Sequence, residues 1–183
     1  MTTSAFSRER TFSKFQAMTY GILCACPFLM LVGFSYRFFL SSHANQMVLG
    51  GPTFYLSFIA IIAVSVTLHE LLHGIGWMLA GHLRWADVHF HLSAMMPTTS
   101  CREPLTKGAY LIGVLLPFTA LGLTSIAVLL LVPGTLTLLA ALTNLTLAGA
   151  DLAIAWHVIR EPHNVRIIDH PTLAGYVLSL IHI

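Results

Sequence analysis

The sequence predicts an all-α membrane protein: a four-transmembrane-helix bundle with a small β-hairpin-like cytoplasmic loop between helices 2 and 3. Three observations carry that prediction. Hydrophobic residues make up 56% of the 183 residues and only 9% are charged, against about 25% charged in ordinary soluble domains. The mean hydropathy is +0.80. The apolar residues also gather into four long segments, and crossing ~30 Å of hydrocarbon takes about 20 helical residues. A chain of this length has room for one domain, taken as residues 1–183. The formal charge of +2, without any basic tract, excludes nucleic acid as a partner and leaves the lipid bilayer.

The first span runs from about Met18 to Leu40. Its apolar run is too long for a signal peptide and no small-residue cleavage site follows, so it reads as retained. Gly50-Gly51-Pro52 introduces the second span, Phe54 to Ala80. The third runs from Tyr110 to Val132 and the fourth from Leu136 to Ile159, with Pro133-Gly134 making the tight break of a helical hairpin between them. Arg8, Arg10 and Lys14 precede the first span, Arg84, Arg102 and Lys107 lie between the second and third, and Arg160 and Arg166 follow the fourth. With four spans these all fall on one side and only Arg37 lies opposite, so the positive-inside rule makes both termini of this multi-pass, prokaryotic-type membrane protein cytoplasmic.

The connection from Gly81 to Gly108 is the one sizeable polar segment. Trp85 to His91 alternates as a strand does, and Ala94 to Cys101 is its return partner. Such a hairpin must lie in water or against protein, since open sheet edges do not face lipid. An edge strand beside a reactive site is also a platform for an extended peptide. Cys24, Cys26 and Cys101 have neither zinc nor redox spacing and read as small buried hydrophobes.

Between Phe54 and Ala80 the only acidic, basic or histidine side chains are His69, Glu70 and His73. Ionisable residues inside a span are costly and mark function. In His69-Glu70-Leu71-Leu72-His73 the histidines stand at i and i+4 on one helix face, so both can reach one metal ion, with Glu70 beside them as general base. A catalytic zinc takes three protein ligands and an open position. The third expected ligand is Asp151, the one acidic residue in the other spans. It stands eight residues before the end of its span and His73 stands seven before the end of its own, a difference in depth of about 2 Å. The alternative for Asp151 is a hydrogen bond between helices, to a group such as His157. Asn144, two turns before Asp151, is a candidate substrate or oxyanion contact, or else another interhelical hydrogen bond. His82, His89 and His91 belong to the polar loop, as a metal entry path or as solvated side chains. His43, His163, His170 and His182 receive no role.

These residues resemble those of the site-two-protease type of intramembrane zinc metalloprotease. More closely, the chain resembles an uncharacterised group of zincin peptidases among small bacterial and archaeal membrane proteins. The resemblance covers roughly His69 to Tyr176. It comprises His69-Glu70-Leu71-Leu72-His73-Gly74, Cys101-Arg102-Glu103-Pro104-Leu105, Leu116-Pro117, Gly149-Ala150-Asp151 and Asp169-His170-Pro171, in that order. It departs from the site-two proteases in that Asp151 is followed by Leu152 where they carry an Asp-Gly pair. The resemblance implies Zn²⁺ on His69, His73 and Asp151, Glu70 as general base, and a membrane protein or peptide as substrate. The rival is an intramembrane zinc carrier or sensor. A carrier needs ligands reachable from both faces, and the extracytoplasmic halves of the spans hold almost none. Substrate identity and oligomeric state leave no mark in the sequence.

Overall fold

Helix α1 (Lys14–Ser35) begins where Ser13 and Gln16 cap it reciprocally, each side chain accepting the other's backbone N–H at 3.0–3.2 Å. It runs on through a π turn and a 3₁₀ turn to His43. Helix α2 (Pro52–Gly81) opens on a proline, whose fixed φ suits a first helical position, and closes at His82 in the left-handed region with φ 53°. Helix α3 (Lys107–Pro117) is capped by Thr106 and passes through a π turn, Phe118–Gly122, into α4 (Leu123–Leu131). After Pro133-Gly134 come α5 (Thr135–Leu147) and α6 (Gly149–Ile159), separated only by a turn at Ala148. These details come from a computed structural model that describes residues 7–44, 51–93, 96–170 and 173–180.

Among the described residues, four helical stretches are therefore long and apolar enough to cross a membrane: Phe15–His43, Pro52–Gly81, Lys107–Leu131 and Thr135–Ile159. Each contains its sequence-predicted span to within about three residues. Their outer faces present large apolar side chains, among them Leu131 at 82% exposure and Phe15 at 73%. A surface of that kind is made for hydrocarbon rather than water.

The loop hairpin is present as β2 (Val88–Ser93) and β3 (Met96–Cys101), antiparallel with Val88 opposite Cys101. Its start differs from expectation. Trp85–Asp87 form a 3₁₀ turn because the Asp87 carboxylate accepts the Arg84 backbone N–H at 2.9 Å, and the tip at Ala94 lies outside the described residues.

A second sheet goes beyond the predicted fold class. Strands β1 (Ser7–Phe12), β4 (Leu105–Thr106), β5 (Val165–Asp169) and β6 (Ala174–Leu180) form an antiparallel sheet in the order β1-β6-β5-β4. Pairing of β1 with β6 brings the two ends of the described chain together, at the end of the helices where the hairpin also sits. Leu105, Tyr110, Val158, Ile167 and Tyr176, all nearly inaccessible, fill the space between this sheet and α3 and α6. Lys107 closes the seam, its ammonium donating to the Ile159 and Glu161 carbonyls at 2.7 Å each, which satisfies the C-terminus of α6.

Candidate metal centre

The site is built on the close crossing of α2 and α3. Gly76 and Gly113 meet there, and a Cβ on Gly113 would overlap the Trp77 ring. Small residues let helix backbones approach this closely. Trp77 then donates its indole N–H to the Tyr110 carbonyl at 3.2 Å and stacks on His73, centroids 5.6 Å apart and 18° between planes.

The contact also orients His73. Its Nδ1 lies 2.9 Å from the Gly113 carbonyl oxygen. A carbonyl only accepts, so Nδ1 carries the proton and Nε2 presents its lone pair. Gly113 has an oxygen to spare because of the residue four positions on. In a regular helix that carbonyl accepts the N–H of residue 117, and Pro117 has none.

Three side chains converge on the point that Nε2 faces. His69 Nε2 lies 3.2 Å from His73 Nε2 and 3.0 Å from Asp151 Oδ2, while Asp151 Oδ1 lies 3.5 Å from His73 Nε2. All three residues are buried, and Asp151 Oδ2 accepts no well-angled hydrogen bond despite that short approach. Asp151 stands in the first turn of α6. Glu70 completes the cluster: one ligand atom from each of His69, Glu70 and His73 lies within 4.8 Å of the others, a group able to hold a metal ion.

A cavity of about 230 Å³ opens beside the cluster, with Glu70, His73 and Asp151 in one wall, Thr98–Ser100 of β3 in another, and Asp169 in a third. Thr99 fastens the hairpin over the site by donating its hydroxyl to the Glu70 carbonyl at 2.8 Å. His91 reaches the cavity rim, whereas His157 bonds the Ala153 carbonyl and packs against Phe12. Asn144 lies elsewhere. It is buried in a separate groove of about 470 Å³ bordered by α2, α4 and α5, with Oδ1 lacking a hydrogen-bond partner. The structure thus brings His69, Glu70, His73 and Asp151 together, while Asn144 lines a neighbouring groove that also touches Ser65 and Leu68 of α2.

Three cavity residues, Tyr110, Asp169 and His170, have no place in the site expected from sequence. Tyr110 donates its hydroxyl to Asp169 Oδ1 at 2.9 Å, tying α3 to the end of β5. Burial pushes the Asp169 carboxyl up to about 7, against the opposing pull of that hydrogen bond. His170, given no role from sequence, also lines the cavity. Its Nε2 lies 3.0 Å from Glu9 Oε1 of β1, and its Nδ1 accepts the Leu173 N–H at 2.9 Å. The only sequence signal for this wall was Asp169-His170-Pro171, which carries no spacing relation to the histidine motif.

A model of the family described as "Putative zincin peptidase" matches residues 62–166, more than half of the chain. The matched stretch runs from the middle of α2 to the start of β5 and contains all four clustered side chains. Neither a curated protein nor a solved structure matches the chain.

Proposed function

The chain belongs to the zincin peptidase family whose model it matches, and on that premise we propose that it is a membrane-embedded zinc metalloprotease acting on membrane or membrane-proximal substrates. The observation that carries this reading is the convergence of His69 Nε2, His73 Nε2 and the Asp151 carboxylate at 3.0–3.5 Å. A tetrahedral zinc with bonds of about 2.0–2.1 Å spaces its ligand atoms about 3.3–3.4 Å apart. Two imidazole nitrogens and a carboxylate gathered this closely in a dry interior favour a positive charge among them, and a metal cation supplies it. His69, His73 and Asp151 are therefore the residues to hold the ion. When bound, zinc supplies a Lewis acid that polarises a carbonyl and lowers the pKa of water towards about 7.

The remaining chemistry belongs to side chains. Glu70 faces the cavity next to the ligands, takes the proton of the attacking water and returns it to the leaving amine. The Gly113 carbonyl holds His73 in the tautomer a ligand needs. Among the described residues strand β3 pairs with β2 alone, and it contributes Thr98–Ser100 to the cavity wall, so an extended substrate segment can pair with it. His73 lies eight residues inside the end of α2, about 12 Å along its axis. The strands stand at the end of the helices that carries most of the arginines and lysines, which makes that end cytoplasmic.

The test is metal content and cleavage of a membrane-anchored reporter by purified protein in detergent. Wild type binds one zinc and cleaves, Glu70→Gln keeps the zinc and does not cleave, and His69→Ala loses both. Full cleavage by Glu70→Gln would sink the general-base assignment. Zinc transport into vesicles, unaffected by Glu70→Gln and without cleavage, would replace a protease by a carrier.

A further inference from the structure

Asp169 has no task in the mechanism above, yet it is the most deliberately placed carboxylate in the cavity wall outside the metal cluster. It ends β5, paired with Tyr176 of β6, so its backbone is set by sheet register. Its Oδ1 is held by the Tyr110 hydroxyl at 2.9 Å. Tyr110 is itself inaccessible and stacks on Trp77 at 5.8 Å and 23°, and Trp77 stacks in turn on His73. This run of rings fixes the carboxylate relative to the metal cluster. A tyrosine hydroxyl is satisfied by any neutral acceptor, so the hydrogen bond alone does not call for an acid.

Among the described residues no lysine or arginine pairs with Asp169. The neighbouring His170 turns to Glu9, and the buried Lys107 is engaged by the α6 carbonyls. Glu70, Asp151 and Asp169 face the same cavity, and once Asp169 is ionised, above about pH 7, the three together outweigh a divalent ion. A half-buried carboxylate that is held rigid, open to the cavity and without a counter-charge suits a cationic ligand.

We infer that Asp169 is a specificity-determining residue that receives a cationic nitrogen of the substrate, from a lysine or arginine side chain or a free α-amino group, beside the scissile bond. This rests on the peptidase reading of the same cavity, and the two are separated by measuring binding apart from turnover. The binding probes are three fluorescent peptides: alternating alanine and lysine with a free N-terminus, its Nα-acetyl form, and its norleucine analogue. They are titrated by anisotropy against zinc-loaded Glu70→Gln protein in detergent, with and without Asp169→Asn. That substitution keeps an acceptor for Tyr110.

The free-amine lysine peptide is expected to bind about tenfold more tightly than the probe that lacks the recognised cation, norleucine for a side chain or acetyl for the α-amino group, the scale of one partly buried ion pair, and Asp169→Asn abolishes the difference. Loss on acetylation alone assigns the cation to the α-amino group, and indifference to acetylation assigns it to a side chain. Tyr110→Phe, which keeps the charge and frees the carboxylate, reduces the preference without removing it. Turnover is read from a peptide mixture produced by cleavage after glutamate, with cut sites identified by mass spectrometry. Basic residues or free amines are expected at one fixed distance from the cuts of wild type, and this enrichment disappears in Asp169→Asn. The inference is overturned by equal binding of all three peptides, by a preference that survives Asp169→Asn, or by an even loss of all cuts in that variant. Binding that depends on Asp169, without cleavage of any peptide or of the membrane-anchored reporter, would instead overturn the peptidase reading.

Discussion

The two halves of α2 are similarly apolar and have opposite fates. From Pro52 to Val64 the helix lies open, with Leu56 at 69% and Ile59 at 63% exposure. From Ser65 to Trp77 it is packed, and Ser65, His69, His73, Gly74, Gly76 and Trp77 are all buried. Hydrophobicity does not separate them. Lipid tails are as apolar as leucine, so burying another leucine against protein gains little there. The packed half is set apart by glycines that admit a neighbouring backbone and by imidazoles that need polar partners where water is scarce. Those partners come from α3, through the Gly113 carbonyl, and from α6, through Asp151.

The contrast breaks most completely at the helix crossing. In Gly113→Val the new side chain occupies the space of the Trp77 ring, which is itself buried and held by its hydrogen bond to Tyr110. The cost exceeds the roughly 1–3 kcal/mol usual for an overpacked core. The expected result is loss of the monodisperse species in size-exclusion chromatography and of bound zinc with it. A folded, zinc-loaded Gly113→Val protein would show that the crossing does not position His73.

Pro117→Ala separates metal binding from stability. The alanine N–H returns as a helical competitor for the Gly113 carbonyl, so His73 loses part of the hold on its Nδ1 proton. Losing such a supporting hydrogen bond typically costs about 10–100-fold in metal affinity. Alanine also favours a helix interior by about 3 kcal/mol over proline. Chelator competition should show zinc affinity down by about tenfold, while the metal-free protein melts no lower than wild type.

Asp169 sharpens the comparison from the opposite wall of the cavity. Its carboxyl is raised from about 4 to about 7, so the folded state holds that proton more tightly than the unfolded chain does. The stability this contributes is fully present below about pH 4 and is lost as pH rises through about 7. In Asp169→Asn that loss is gone. In metal-free samples the variant's melting temperature should exceed wild type by a margin that grows between pH 4 and pH 7 and stays level above, reaching a few degrees. A constant margin across that range would detach it from the titration of Asp169.

What was legible in the sequence follows the same division. The spans, the β2–β3 hairpin and the His69-Glu70-His73 motif are local patterns: runs of apolar residues, alternation, and an i, i+4 repeat. The β1-β6-β5-β4 sheet was not, because β1 is dominated by Arg8, Glu9 and Arg10 and its partner lies at the other end of the chain. Asp169 was overlooked as a cavity residue for the same reason, since only sheet register brings it to Tyr110. The turn at Ala148 was equally hidden. Asn144 and Asp151 stand two turns apart on either side of it, and they line different cavities.

The smallest effect belongs to the open half of α2. Leu56→Ala and Ile59→Ala remove side chains that are 69% and 63% exposed and that lie toward the end of α2 remote from His69. In water-soluble proteins truncation of a buried leucine costs about 2–5 kcal/mol, mostly from lost burial and the cavity left behind. Neither contribution applies on a face where detergent or lipid refills the space with equally apolar chains. Alanine is also the better helix former, by a few tenths of a kcal/mol over isoleucine. Both variants should therefore keep wild-type zinc content and melt within about 0.5 kcal/mol of wild type, the ordinary range for surface changes. A loss approaching the buried-leucine cost would mean that this face is covered by protein, and the two halves of α2 would then differ in partner rather than in solvent.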